Sequence, residues 1–480
     1  MADKAHILTD EKLEEIEKRL SAIYSRAEKE IQQTAYDYFS KFAAEDEKKR
    51  KLVEAGKMTE AEYKKWRKNK LLYGKRFTEM KKQCAEQLLH VNETALAYVN
   101  GELPEVYALN YNALSEAVDG LEGYSFAMVD ADTVKTLALT DKSLLPYKDI
   151  DPSKDIPWNM KKINSEVLQG VLQGENITKI AKRIHNVQEI NKSAAIRSAR
   201  TIVTGAENKG RQDSYVRAEQ DGIILQKEWI ATNDGRTRHA HDSLDGVIVD
   251  QDKPFETVLW LSKTKRMPDK IMFPGDPSAH PANTYNCRCS MAAKVNGFNK
   301  VQYNKSHGLA PTNRDGKEIV FSEKMQNGKW NDSIDIITEL SGQYKTKLLD
   351  VGLGAKQAAG EVQISGSVMR LSSTTKATAV HEFAHTISIE NQTKFGLYDE
   401  KDFWKEIRGV QRKYKKAVAD DPRKWISSYE HSSASTDEFM AEAFTHAKMR
   451  EMGLELPSYY GEDFTYSEMV LKIIKKYFGR

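Results

Sequence analysis

Residues His381-Glu382-Phe383-Ala384-His385 set two imidazoles and a carboxylate at a spacing that does chemistry on a helix. Positions four apart lie on nearly the same side of a helix, so His381 and His385 can present ring nitrogens to one point while Glu382 sits beside it. That is a chelate for a divalent ion, and zinc suits imidazole and carboxylate donors. Zinc lowers the pKa of water to about 7 and polarises a carbonyl, which leaves Glu382 the part of general base. These residues point to a metal-dependent hydrolase.

A catalytic zinc site needs a third protein ligand. Glu438, in Thr436-Asp-Glu438-Phe-Met-Ala-Glu442-Ala-Phe444, is the candidate. Glu442, one turn on, would accept the second ring proton of His381 or His385 and fix its tautomer. The alternative is a capping box, Ser435-Thr-Asp-Glu438, in which Glu438 turns back to its own helix start. His446, one turn past Glu442, is a further candidate or else a surface or outer histidine. Upstream, His239, His241, His280, Cys287 and Cys289 could converge on a second Zn2+, with His241, Cys287 and Cys289 as its core. The alternative there is a strand with Cys287 and Cys289 packed on one face as small apolar groups and Arg288 on the other.

The elements that must hold these residues read as mainly α with small α+β parts. From Asp10 to about Asn100, Leu13, Ile16, Leu20 and Ile23 recur at helical steps among dense charges, a stripe for a partner helix. Gly56 followed by Thr59-Glu-Ala-Glu62 reads as a stop, a capping box and a restart, hence an extended helical hairpin. Between Lys48 and Lys82 basic residues outnumber acidic ones, which suits either a solvated face or contact with a phosphate backbone. Short apolar pieces over 110–160 are broken by Gly120, Gly123, Pro146, Pro152 and Pro157, and helix returns from Ile163 to Ala218. Strand-like runs follow at Ile223–Ile230 and Gly246–Val249. The polar stretch 296–329 reads as a linker. After it come a helix (Ile334–Leu340), strands (Leu348–Val351 and Val362–Leu371), then helices to the end. The organisation is 1–160 helical, 161–295 a small α+β module, 296–329 linker and 330–480 an α+β catalytic domain.

Length and composition agree with this. A chain of 480 residues with 40% apolar and 30% charged residues and a net charge of +3 is globular material for two or three domains. Cys84, Cys287 and Cys289 cannot form a disulfide framework and fit a reducing compartment. No apolar signal core lies in Met1 to Asp10, and no stretch has the roughly 18 uninterrupted apolar residues of a membrane span. Cytoplasmic synthesis and no membrane partner are the expectation.

Two resemblances add to this reading. The segment from Trp229-Ile-Ala-Thr-Asn-Asp-Gly-Arg through His239-Ala-His241 and Asp245-Gly246, then Phe273-Pro-Gly-Asp-Pro277 and Asn286-Cys-Arg-Cys289, resembles the Mu F-like minor head proteins of tailed bacteriophages. Arg200-Thr-Ile-Val-Thr204, Asn208-Lys-Gly210 and Gly56 to Trp66 fit that family's layout over roughly the first 295 residues. The resemblance implies a virion component associated with the portal and other capsid proteins, with phage DNA as a further partner, active in head assembly or genome ejection.

Val380-His-Glu-Phe-Ala-His385 followed by Glu438-Phe-Met-Ala-Glu-Ala-Phe444 resembles the catalytic domain of anthrax lethal factor and related phage-encoded zinc peptidases. That resemblance implies a zincin-like domain, a peptide or protein substrate, and an oxyanion-supporting tyrosine, matched here by Tyr429 at a slightly longer separation. Ala384 stands where that family usually has glycine. The joint expectation is a phage minor head protein, made in the bacterial cytoplasm and carried in the virion, with a zinc peptidase at its C-terminal end. The alternatives are a purely structural head protein with an inactive zinc domain, or a Mu F-type delivered toxin with a protease warhead.

Overall fold

The computed structural model describes residues 3–121, 124–173, 175–260, 262, 265–355, 358–363, 366–392, 398–428 and 435–479, with backbone alone at 388–392 and 398–401. It divides into two compact units, Met1–Val216 with Leu225–Lys294, and Arg217–Ile224 with Val295–Arg480. Helices dominate both, with small sheets, as the apolar periodicity implies.

In the first unit the charged N-terminal region folds as one helix, Lys4–Glu54, whose apolar stripe is buried while its other faces stay in water. Leu13, Ile16 and Leu20 pack in one cluster with Val91, Ala95 and Val99 of the helix Lys75–Asn112. Burial of each such side chain stabilises by about 1.5–3 kcal/mol, which a long polar helix could not obtain alone. Between these helices Gly56 takes φ +72° and ends the first. Thr59 then starts Glu60–Tyr73 with both halves of the capping box, the Glu62 amide donating to Thr59 Oγ1 at 3.2 Å and the Thr59 amide to Glu62 Oε2 at 2.9 Å.

No break falls at residue 160. The helix Pro152–Leu172 runs through it, because Pro152 sits in the first turn, where its missing N–H costs nothing, and Asp151 caps it through Ser153. The long helix Ile184–Gln220 follows. Strand Ile223–Ile230 is the centre of a three-stranded sheet, between Ile248–Asp250 and Ser290–Phe298. A separate antiparallel pair joins Phe255–Trp260 to Arg266–Ile271.

The second unit differs from the sequence reading in two places. The stretch read as a linker is folded: it carries the helix Lys300–Ser306 and the strand Val320–Phe321, and Ile319, Phe321 and Met325 are buried in the core with Trp330 and Ile334. Its Asn and Gly residues make a tight turn, Asn313 accepting from the amides of Asp315 and Lys317 while Gly316 takes φ +74°. A packed turn and a free linker use the same residues, so composition alone does not separate them. Likewise the run Val362–Leu371 is not one strand. Gly366 at φ +68° folds it into a hairpin, Gly360–Val362 antiparallel to Val368–Leu371.

The resulting sheet has the order Val320–Phe321, Asp350–Leu353, Val368–Leu371, Gly360–Val362, with parallel pairing up to the last, antiparallel edge strand. Helix Asn331–Gln343, the pair Lys376–Gln392 and Thr436–Glu451, and the helices Tyr398–Asp420 and Thr465–Phe478 complete the core, and Val380, Phe383, Ala384, Phe439, Ala443 and Phe444 are fully buried in it.

Candidate metal centre

Helix Lys376–Gln392 begins where Thr375 Oγ1 accepts from the Thr378 amide at 3.3 Å. Phe383, Ala384 and Ile387 bury one side of it, which turns His381 and His385 toward the start of Thr436–Glu451. There the imidazoles meet Glu438. The two Nε2 atoms are 3.1 Å apart, and the Glu438 carboxylate oxygens lie 3.4 Å from His381 Nε2 and 3.5 Å from His385 Nε2. Four ligands around a tetrahedral ion at about 2.0–2.1 Å stand roughly 3.3 Å from one another. The spacing of the three residues is close to that, with each imidazole facing a different Glu438 oxygen, so they are candidate ligands for one ion.

Each imidazole is also held from behind. His381 Nδ1 lies 3.5 Å from Glu442 Oε1, and His385 Nδ1 lies 3.2 Å from Asp437 Oδ2. Carboxylates at Nδ1 keep the proton there and leave Nε2 as the coordinating atom. The charges act on one another: hydrogen bonds from the two imidazoles hold the Glu438 carboxyl well below its usual range. Burial pulls the His385 imidazole down, but Asp437 and Glu438 outweigh it and raise it to about 10.

Glu438 does not close a capping box with its side chain. Ser435 Oγ accepts from the Glu438 amide at 3.0 Å, while the Glu438 carboxylate faces the histidines. Glu382 is buried, and desolvation raises its carboxyl above the ordinary value, with Glu438 and Glu361 adding to the push and the two imidazoles opposing it. The edge strand presses on it so closely that a Cβ at Gly360 would stand 2.3 Å from Glu382 Cγ.

Tyr429 lies outside the described residues. His446 is neither on the surface nor at the centre: it is fully buried, bonded through Nε2 to the Gly461 carbonyl at 2.9 Å and through Nδ1 to Ser467 Oγ at 3.1 Å, and burial lowers it to about 4. Three residues of this neighbourhood escape the sequence reading. Asp437 is adjacent to Glu438 and could have been found as the matching carboxylate for the second imidazole. Gly360 and Tyr460, whose hydroxyl is raised by burial and by Glu442, carry no local signal.

The upstream cluster also forms, in part. His241 Nδ1 lies 3.5 Å from Cys287 Sγ and 3.4 Å from Cys289 Sγ, and all three residues are buried. His239 instead packs against Trp260, and His280 Nδ1 accepts from the Ala282 amide. The cysteines are not in a strand. They form the turn that enters Ser290–Phe298, because Asn286 takes φ +56° and both sulfurs then face His241 while Arg288 reaches Asp234 at 2.7 Å. They also belong to an apolar cluster with Trp229, Leu244 and Phe255.

The fold and these two clusters define an α-rich protein with metal-ligand geometry in each unit, and the comparisons with known proteins bear on the first. Residues 161–292 match the family described as Phage Mu protein F like protein. The minor head protein GP7 of Bacillus phage SPP1 is 24% identical over 291 residues, which cover 60% of this chain and 85% of that protein. NAD(+)-arginine ADP-ribosyltransferase EFV of Enterococcus faecalis is 29% identical over 136 residues, 28% of this chain and 26% of that protein, so the chain spans about a quarter of this relative's length. No solved structure matches. Among the described residues no helix is long and apolar enough to cross a membrane.

Proposed function

We propose that the chain is a phage minor head protein, carried in the virion with other capsid components, whose C-terminal unit is a zinc-dependent peptidase. The Mu F-like match and the SPP1 relative support the head-protein part. One observation carries the enzymatic part: two Nε2 atoms and the Glu438 carboxylate converge at 3.1–3.5 Å, with a carboxylate behind each imidazole.

His381, His385 and Glu438 would hold the ion, and the chemistry zinc supplies in such a site is Lewis acidity toward water and a carbonyl oxygen. Glu382, raised by burial, takes a proton from the attacking water and returns it to the leaving nitrogen. The water oxygen bonds the carbonyl carbon, the C–N bond breaks, and an acid and an amine leave. The antiparallel edge strand Gly360–Val362, pressed on Glu382, is where an extended peptide would pair by strand addition and run past the carboxylate.

The test uses the full chain, zinc analysis and a mixture of fluorescence-quenched peptides. Wild type should cleave; Glu382→Gln should keep its zinc and lose cleavage by roughly 10²–10⁴-fold. Equal cleavage by Glu382→Gln, or no zinc lost on His381→Ala/His385→Ala, would refute the enzymatic reading. A second reading is delivery, in which the segment that matches the Mu F-like family carries the C-terminal unit rather than only building the head. A Mu F-like module would then deliver the peptidase to a recipient cell. Slowed bacterial growth on expression of wild type but not Glu382→Gln supports delivery; equal growth counts against it.

A further inference from the structure

The cluster of His241, Cys287 and Cys289 is used by nothing above. Its donors come from the short helix His239–Asp242 and from the turn at Asn286–Cys289, and each is at most 3% exposed. The turn is fixed from outside so that its sulfurs point inward. The Asn286 amide donates to Thr201 Oγ1 at 2.8 Å, the Cys287 carbonyl accepts from Thr204 Oγ1 at 2.8 Å, and the Cys289 carbonyl accepts from Asn208 Nδ2 at 3.1 Å. Amides also point at the sulfurs: Cys289 N–H donates to Cys287 Sγ at 3.4 Å, and the Thr232 backbone to Cys289.

Packing alone does not account for this arrangement. Two cysteines in an apolar cluster need no imidazole aimed between them, and burying one is costly, since His241 Nε2 has no hydrogen-bond partner among the described residues. Two sulfurs and an imidazole nitrogen are a soft donor set of the kind that takes Zn2+ in preference to Mg2+ or Ca2+.

We propose that His241 Nδ1 and the Cys287 and Cys289 sulfurs hold a zinc ion that fastens the loop after Trp229 to the turn before Ser290. Binding releases the thiol protons to solvent and leaves the metal unchanged in oxidation state. The site is independent of the His381, His385 and Glu438 centre in both its residues and its donor chemistry, and the proposal does not rest on peptidase activity.

The sulfurs make the test selective. Full-length His381→Ala/His385→Ala chain, grown with zinc or reconstituted with Co2+, isolates the proposed site. It should retain about one equivalent of metal, and the Co2+ form should show intense near-ultraviolet absorption from thiolate-to-cobalt charge transfer, which nitrogen and oxygen ligands cannot give. X-ray absorption of its zinc form should show Zn–S distances of about 2.3 Å beside one nitrogen. Cys287→Ser/Cys289→Ser in the wild-type background should lose that equivalent and the band; if this variant does not fold, the absorption measurements on the histidine variant stand alone. A metal-free histidine variant, or a spectrum of nitrogen and oxygen ligands only, overturns the proposal. A wild-type chain with one sulfur-bound equivalent and no other upholds it and overturns the peptidase centre instead.

Discussion

Replacing Gly360 by alanine isolates the contact between the edge strand and Glu382. The added methyl would sit 2.3 Å from Glu382 Cγ, 2.6 Å from Cδ and 2.8 Å from Oε1, where carbon atoms normally stand about 3.5–4.0 Å apart. The strand cannot move off freely. Gly360 is in register with Leu371, and the Ala359 carbonyl accepts from the amides of Ser372 and Ser373 at 2.8 and 3.0 Å. Glu382 in turn is buried on a helix whose neighbours are packed. Overpacking of this kind costs about 1–3 kcal/mol, or a few degrees of Tm in a unit of this size.

The cost divides between strand and carboxylate in a measurable way. If Glu382 gives, its carboxylate leaves the position a general base needs, and kcat/KM should fall by roughly 10²-fold. The metal should stay, because the added methyl's nearest contacts are with Glu382 and not with His381, His385 or Glu438. Peptide cleavage, zinc content and thermal unfolding of Gly360→Ala beside Glu382→Gln decide the matter. Wild-type stability together with wild-type cleavage, in a protein where Glu382→Gln is dead, would show that the strand does not clamp the carboxylate.

Glu442→Gln and Asp437→Asn should each weaken zinc binding by about 10–100-fold in chelator competition, since each removes a carboxylate behind one imidazole. Gly275→Ala should lower the stability of the first unit by about 2–4 kcal/mol in denaturant titration, because Gly275 has φ +82° and its Cβ would meet Gly205 N at 2.9 Å. His446 is neutral when folded, with its value pushed down from 6.5 to about 4 by burial. The unfolded chain therefore takes the proton first, and stability should be full above pH 6.5 and fall on acidification toward pH 4 by up to about 3 kcal/mol, a slope that His446→Asn should flatten. His6 has the opposite sign: burial lowers it, but Glu207 at 2.7 Å prevails and raises it to about 9. Its contribution should be present below pH 6.5 and lost as pH rises through 9, and Glu207→Gln should reduce that fall in denaturation midpoint between the two pH values.

What the sequence made legible is what short-range periodicity encodes. His381 and His385 are one turn apart, Glu438 and Glu442 are one turn apart, and Leu13, Ile16 and Leu20 mark a stripe, so each set could be placed on a helix face before any packing was known. The capping box at Thr59 and Glu62 is legible for the same reason. Gly360 is not, since its requirement comes from a helix residue that is distant in sequence and meets it only through the sheet. The hairpin at Gly366 and the folded stretch before Trp330 were hidden differently. Glycine and asparagine report that the chain turns, and the apolar residues between such turns decide whether the segment packs.

Glu438 shows where a local rule and a site compete for one side chain. Ser435-Thr-Asp-Glu438 has the spacing of a capping box, and half of that box exists, since Ser435 Oγ receives the Glu438 amide. The other half would turn the carboxylate back to the Ser435 backbone. Instead it stands between two imidazoles whose hydrogen bonds hold it ionised. A reciprocal cap is worth about 1 kcal/mol at an exposed helix start, whereas a half-buried, charge-assisted contact with two nitrogens is worth more per bond. The fold satisfies the helix start with Ser435 and keeps the Glu438 carboxylate for the centre, so a substitution that restored Glu438 to the cap would cost metal affinity before it cost helix stability.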